Sequence, residues 1–108
     1  MNDSTSTQPS ILTEEDIHKI SNFCRIFRNE KRCCLIYYLC ELDRPVTWTN
    51  IQFDLRLNSK SLRDYLKIFK SNGIVEHNQY GFRVTDYGKK SLEIIENIGT
   101  LICPKEEG

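Results

Sequence analysis

The chain has 108 residues and a mass of 12.7 kDa, which allows one domain and excludes large enzyme folds such as the (β/α)₈ barrel. Hydrophobic residues make up 39% and charged residues 28%, a balance typical of a globular rather than a disordered chain. The formal net charge is zero, but residues 17–90 hold fourteen Lys and Arg against seven Asp and Glu, and the flanking segments are acidic. The basic middle indicates a polyanion partner, unless these charges simply cover solvated faces.

No run approaches the roughly 20 apolar residues that cross a bilayer, and the start MNDSTSTQPS lacks both the basic and the apolar region of a signal peptide. We therefore expect a cytoplasmic protein without a membrane partner. The hydrophobicity pattern divides the chain into a flexible polar tail at 1–12, a single domain at 13–102 and a second tail at 103–108.

Two helices are predicted first. Thr13 is a good N-cap, three acidic residues follow it, and apolar residues then recur at helical spacing to about residue 28. Asn29 caps a second helix over Glu30–Leu42, whose segment CCLIYYLC is apolar all round. That pattern predicts a central helix buried on most sides.

A third helix, roughly 48–55, is capped by Thr47, and Trp48 at its start is predicted to pack. A three-residue turn at 56–58 follows. A fourth helix then runs to about Ser71, capped by Asn58 or Ser59, with three apolar residues on its inner face. These inner residues are Leu62, Leu66 and Phe69.

Gly73 ends the fourth helix, and beyond it the apolar residues no longer recur at helical spacing. Residues 74–77 and 82–85 read as two short strands, and the connector 78–81 has hairpin residues, so the strands are predicted to pair antiparallel. Thr85 or Asp86 caps a last helix with an apolar stripe.

Two short helices, a tight turn and a hairpin together make a helix-turn-helix with a wing. The stretch from Cys34 to Lys90 resembles the winged helix-turn-helix of small prokaryotic transcription regulators of the broad ArsR/MarR type. The residues that carry the resemblance are LNSKSLRDYLKIFKSNGIVE and RVTDYGKKSLEII. It implies a mainly α fold with a small β-hairpin and extra N- and C-terminal helices, double-stranded DNA as partner, and an archaeal or archaeal-virus source.

The fourth helix would enter the major groove, since Lys60, Arg63, Lys67 and Lys70 recur on the side away from its apolar face. Any amphipathic helix has a solvated face, but here only one of the five charges is acidic. The predicted DNA-contacting residues are Ser59, Lys60, Ser61, Arg63, Asp64, Lys67 and Lys70 on this helix, and His77, Asn78, Gln79 and Arg83 in the wing.

The two terminal helices are predicted to form a homodimer, because one small domain cannot bury both of their apolar stripes. The predicted interface comprises Ile17, Ile20, Cys24, Phe27, Leu92, Ile95, Ile98 and Ile102. In the alternative, a monomer docks the last helix on the first.

Five cysteines without a CxxC, in a chain without a secretion signal, argue against a disulfide framework or a metal site. We expect buried, reduced thiols; the alternative is a thiol sensor at Cys24, Cys33 and Cys34. No catalytic constellation or phosphate-binding loop is present, so neither an enzyme nor a cofactor is expected.

The sequence therefore predicts a sequence-specific, DNA-binding transcription regulator whose target and effector it does not reveal. Two alternatives are a winged-helix protein-interaction module of a larger assembly and a thiol- or metal-responsive sensor on the same fold.

Overall fold

A computed structural model describes residues 11–103, so most of the two predicted tails lies outside the described residues. Two compact units follow each other along the chain, and the boundary falls between Glu30 and Lys31. A single domain over residues 13–102 stays a prediction.

The first unit contains helix α1, Glu14–Ile26, which begins where the sequence predicts and ends slightly earlier. Its start is a capping box. The Thr13 hydroxyl accepts a hydrogen bond from the Asp16 N–H, and the Asp16 carboxylate accepts one from the Thr13 N–H. The backbone hydrogen bond, followed by the hydroxyl, holds the pKa of Asp16 below its usual value.

The second unit carries the other helices and the hairpin. Their bounds are α2 Glu30–Leu42, which begins at the last residue of the first unit, α3 Trp48–Leu55, α4 Ser59–Ser71, β1 Val75–Asn78, β2 Gly81–Val84 and α5 Asp86–Ile102. Within residues 11–103 the architecture is thus five helices with one two-stranded antiparallel sheet, which confirms the predicted mainly α fold. None of these helices has the length and apolarity needed to span a bilayer.

Three of the helices start at polar caps that the sequence predicts. The side chains of Thr47, Asn58 and Thr85 each accept a hydrogen bond from a backbone N–H in the first turn of α3, α4 and α5. Thr85 also donates its hydroxyl to the carbonyls of Gly73 and Ile74, so it joins the start of α5 to the end of α4. The Thr85 hydroxyl thus caps α5 and also joins the residue after β2 to the residues before β1.

The core of the second unit is built mainly from aliphatic residues, with the rings of Phe69 and Phe82. The side chains with almost no exposure are Leu35, Ile36, Leu39, Val46, Ile51, Leu62, Phe69 and Ile74. Eight of the thirteen residues of α2 are buried or half-buried, and one strip of the helix is open to solvent: Cys34 is exposed and Tyr37 is 47% exposed. The apolar composition of the segment does not itself fix where this open strip lies.

Both strands of the hairpin differ from the prediction by one residue: β1 covers 75–78 instead of 74–77, and β2 covers 81–84 instead of 82–85. Val75 pairs with Val84 and Asn78 with Gly81, so only Gln79 and Tyr80 form the turn. Val46, in the loop before α3, makes an isolated antiparallel bridge to Phe82, with both N–H to carbonyl distances at 2.8 Å. A Cβ on Gly81 would strike the Val46 carbonyl, so this close approach requires glycine.

Candidate nucleic-acid interface

Helix α4 presents two faces of opposite character. Leu62, Leu66 and Phe69 are buried, as predicted, while the four predicted cations are all exposed. These are Lys60, Arg63, Lys67 and Lys70. None of them forms an ion pair with any residue between 11 and 103, and Asp64, also exposed, pairs with none of them. The positive charge of this face is therefore uncompensated by the described chain.

A chain of side-chain hydrogen bonds fixes the start of α4 against α3. The Trp48 indole N–H donates to the Gln52 carbonyl oxygen at 3.2 Å, and the Gln52 amide donates to the Ser59 hydroxyl at 3.0 Å. Arg56 closes the turn between the helices in the left-handed conformation, with φ 54°. This link was not predicted from the sequence, although Trp48 and Gln52 stand at the i, i+4 spacing of helical neighbours.

An open groove of about 510 Å³ runs between α4 and the hairpin. Its lining residues are Trp48, Arg63, Leu66, Lys67, Lys70, Ser71, His77 and Phe82. The groove brings three of the four α4 cations together with one predicted wing residue, His77. Lys60 and the polar residues Ser59, Ser61 and Asp64 are not part of its lining.

Comparison with known families identifies this arrangement. A family model described as winged helix-turn-helix matches residues 38–102, well over half of the chain. The chain belongs to the winged helix-turn-helix family. In this family's terms α3, the turn and α4 are the helix-turn-helix, and the hairpin is the wing.

A solved structure supports the same winged-helix fold. The chain is similar to the transcriptional repressor BigR from Xylella fastidiosa, with a TM-score of 0.61 and 20% sequence identity over 89% of this chain and 99% of that one. A search of curated proteins finds no match. The comparisons lend no support to the archaeal or archaeal-virus source that the resemblance implied.

The wing residues predicted to touch DNA differ in their surroundings. His77, Asn78 and Gln79 are exposed near the tip, and the Asn78 carbonyl oxygen accepts the Tyr80 N–H at 2.7 Å. Arg83 instead lies 4.0 Å from the carboxylates of both Asp43 and Glu76. Its charge is therefore partly compensated within the winged helix, unlike the charges on α4.

Asp43 also binds α5. Its carboxylate lies 2.8 Å from the Lys89 ammonium. The hydrogen bond and charge of Lys89, with a smaller effect of Arg83, hold the pKa of Asp43 below its usual value, and the same contact raises the pKa of Lys89. One carboxylate thus contacts the wing and the last helix of the winged-helix unit.

The prediction of buried thiols was wrong for three of the five cysteines. Cys24, Cys34 and Cys103 are exposed, and Cys33 and Cys40 are half-buried. Burial raises the pKa of both half-buried thiols. Within residues 11–103 no group of three or more His, Cys, Asp or Glu side chains has the geometry of a metal site.

The predicted interface residues on α5 divide by exposure. Leu92 is only 8% exposed and Ile95 is half-buried, whereas Ile98 and Ile102 are exposed. Two further exposed residues that the prediction did not include, Ile94 and Leu101, extend this face. We call Ile94, Ile98, Leu101 and Ile102 the α5 apolar face.

The predicted interface residues on α1 belong to the first unit. Ile17, Ile20 and Cys24 are exposed there, and Phe27 is half-buried with its ring 4.9 Å from that of Phe23. Most of the apolar stripe of α1 is therefore open to solvent.

Proposed function

We propose that this chain is a sequence-specific, double-stranded DNA-binding transcription regulator, with α4 as the recognition helix in the major groove. The observation that carries the proposal is the row of four exposed cations on α4, which form no ion pair with residues 11–103. Family membership supports it, and so does the similarity to a protein described as a transcriptional repressor. Uncompensated Lys and Arg on one helix face supply the phosphate contacts that dominate affinity for DNA.

The start of α4 supplies the groups that read bases. Ser59, Lys60, Ser61 and Arg63 occupy its first turns, where a recognition helix reaches base edges. Asp64 lies on the same exposed side and has the chemistry to accept a hydrogen bond from a cytosine amine. His77, Asn78 and Gln79 contact the DNA backbone from the wing, with a lesser part for the compensated Arg83.

The regulator acts as a two-fold symmetric homodimer in this proposal. Exposed apolar residues on α1 and the α5 apolar face form the interface, and Leu92 belongs to the core. Apolar patches of this kind are buried in most soluble proteins. Dimerisation would place two recognition helices in successive major grooves.

The test is binding to a fluorescein-labelled, random-sequence 24-base-pair duplex, followed by anisotropy over a salt series. Four to six phosphate contacts give a slope of log K against log salt of roughly −4 to −5. Replacing Arg63 and Lys67 by Ala should weaken binding and flatten the slope. A matched control, Lys31→Ala with Lys90→Ala, removes the same charge from exposed positions outside α4.

Absence of duplex binding at low salt would overturn the proposal. That result would favour the alternative of a protein-interaction module, because such a module does not need the cations of α4 to bind DNA. A DNA affinity that changes with zinc or peroxide, and loses this response when Cys33 and Cys34 are replaced, would favour the thiol or metal sensor.

A further inference from the structure

We infer that Gln52 is a positioning residue for DNA recognition: its amide occupies a lone pair of the Ser59 hydroxyl and so leaves the hydroxyl proton for a hydrogen-bond acceptor on the duplex. This inference rests on the proposed function and deepens it. It names the kind of chemical group that Ser59 binds, and it names a residue outside α4 that sets this choice.

The orientation of the Gln52 amide is fixed by Trp48. An indole N–H can only donate, so the Gln52 atom that lies 3.2 Å from it must be the carbonyl oxygen. If the amide were turned over, two donors would face each other at that distance. The amide nitrogen therefore points to Ser59 and lies 3.0 Å from its hydroxyl oxygen. Because Trp48 and Gln52 are both half-buried, little water competes for this arrangement.

The bond from Gln52 decides what the Ser59 hydroxyl has left to offer. An oxygen that accepts one N–H keeps its own proton and one lone pair. Within residues 11–103 the Ser59 hydroxyl donates to no atom. Accepting a hydrogen bond also polarises a hydroxyl and strengthens it as a donor. Ser59 is exposed and begins α4 one turn before Arg63, so its available proton extends the cationic side of the helix to the first residue.

A hydroxyl that donates selects acceptors. On a duplex these are the phosphate oxygens and, in the major groove, guanine O6 and N7, adenine N7 and thymine O4. The amino groups of adenine and cytosine are disfavoured, because they are donors themselves. A serine hydroxyl without such a neighbour pairs with either kind of group. The discrimination therefore comes from Gln52 and not from Ser59 alone.

The variant Gln52→Glu reverses the hydrogen bond and keeps both links. Near neutral pH the carboxylate still accepts from Trp48, but it has no proton to give to Ser59. The Ser59 hydroxyl must then donate to residue 52, and it presents only lone pairs to DNA. Affinity is measured by anisotropy with a labelled 24-base-pair duplex selected from a random pool, after circular dichroism has shown that each variant is folded.

A double-mutant cycle with Ser59→Ala separates this reversal from simple repulsion between the new carboxylate and the phosphates. Gln52→Glu should weaken binding about two- to ten-fold more in the unmodified chain than in the Ser59→Ala background, which is the effect of one neutral hydrogen bond. Repulsion alone would act equally in both backgrounds. Ser59→Thr keeps a hydroxyl and should retain the affinity that Ser59→Ala loses.

The matched control adds the same charge elsewhere on α3. Asn50 is exposed, and its side chain makes no hydrogen bond with residues 11–103. Asn50→Asp should therefore combine additively with Ser59→Ala.

An unselected duplex distinguishes the two sources of acceptors. If Ser59→Ala lowers the ratio between the selected and unselected affinities, the Ser59 proton is donated to a base; equal losses on both duplexes assign it to a phosphate oxygen. Equal effects of Gln52→Glu in the two backgrounds overturn the inference and leave the proposed function standing. If the unmodified chain binds neither duplex, both the inference and the proposed function fail.

Discussion

The imidazole of His77 lies flat on the phenyl ring of Phe82, with 4.0 Å between ring centroids and 5° between ring planes. The two residues are direct partners across the antiparallel hairpin, and Phe82 is buried beneath the stack. The exposed His77 ring, which faces the proposed DNA partner, therefore also covers the buried phenyl ring of Phe82 in the wing.

Replacing His77 by Ala should lower the free energy of unfolding by about 0.2–1 kcal/mol, the range for a cross-strand side-chain pair. Urea denaturation followed by circular dichroism measures this. His77→Phe is the matched control: it keeps a ring on Phe82 and should retain most of the stability, but it loses the N–H donor and should weaken DNA binding. Equal DNA affinity in His77→Phe and the unmodified chain would contradict a phosphate contact from His77.

Two glycines of α5 should respond oppositely to Ala. A Cβ on Gly88 would collide with the Ile74 carbonyl oxygen and the Val84 side chain, whereas a Cβ on Gly99 meets nothing within 4 Å. Gly88→Ala should therefore destabilise the fold by about 1–3 kcal/mol, as overpacking does. Gly99→Ala should stabilise it by about 0.4–1 kcal/mol through helix propensity and unfolded-state entropy. Thermal unfolding of both variants decides; a neutral Gly88→Ala would refute the close contact.

The ion pair of Asp43 with Lys89 should stabilise the protein only over a defined pH range. The lowered pKa of Asp43 means that its contribution is present above the unfolded-state pKa of about 4 and is lost as the pH falls through the folded-state value. The raised pKa of Lys89 means that its contribution is present below about 10.4 and is lost at higher pH. Asp43→Asn should accordingly unfold at lower urea than the unmodified chain at pH 7.

The difference should shrink as the pH falls below the ordinary aspartate pKa of about 4 and disappear below the lowered folded-state pKa of Asp43. Glu93→Gln, which removes an exposed carboxylate of α5 that forms no ion pair with residues 11–103, is the control and should show no such pH-dependent difference. If the stability difference between Asp43→Asn and the unmodified chain is the same at all pH values, the effect does not come from the charge of Asp43.

Charges on the α5 apolar face should prevent dimerisation without unfolding the chain. Ile98→Glu with Leu101→Glu changes two exposed residues, so the folded monomer has room for both carboxylates. Sedimentation should then show one 12.7 kDa species in place of twice that mass, and DNA affinity should fall because the half-sites are no longer linked. Thr100→Glu, exposed on the same helix but outside that face, should leave both properties unchanged. A 12.7 kDa mass for the unmodified chain would refute the dimer.

Local chemistry made the helices predictable from sequence. Thr13, Thr47, Asn58 and Thr85 are capping residues whose hydrogen bonds lie within one turn, so their effect can be read without the fold. The alternation of Leu62, Leu66 and Phe69 with cations likewise placed both faces of α4.

What escaped prediction depends on contacts between distant residues. The strand bounds shifted because Thr85 bonds to the Gly73 and Ile74 carbonyls and Val46 pairs with Phe82, and neither contact has a local signature. The groove escaped for the same reason, since Trp48 and Lys70 meet at one surface only after α3, α4 and the wing have packed. The exposure of Cys34 depends on which side of α2 has neighbours.

The bridge between Val46 and Phe82 determines which parts of the wing an engineer is free to alter. Both of its hydrogen bonds, and the glycine that permits them, lie in the first two residues of β2, whereas the preceding Gln79–Tyr80 turn has no such partner in the helices of the described chain. Insertions at that turn should therefore lengthen the wing and extend its reach along a duplex at little cost in stability. An insertion between Gly81 and Phe82 would instead detach the hairpin from its scaffold.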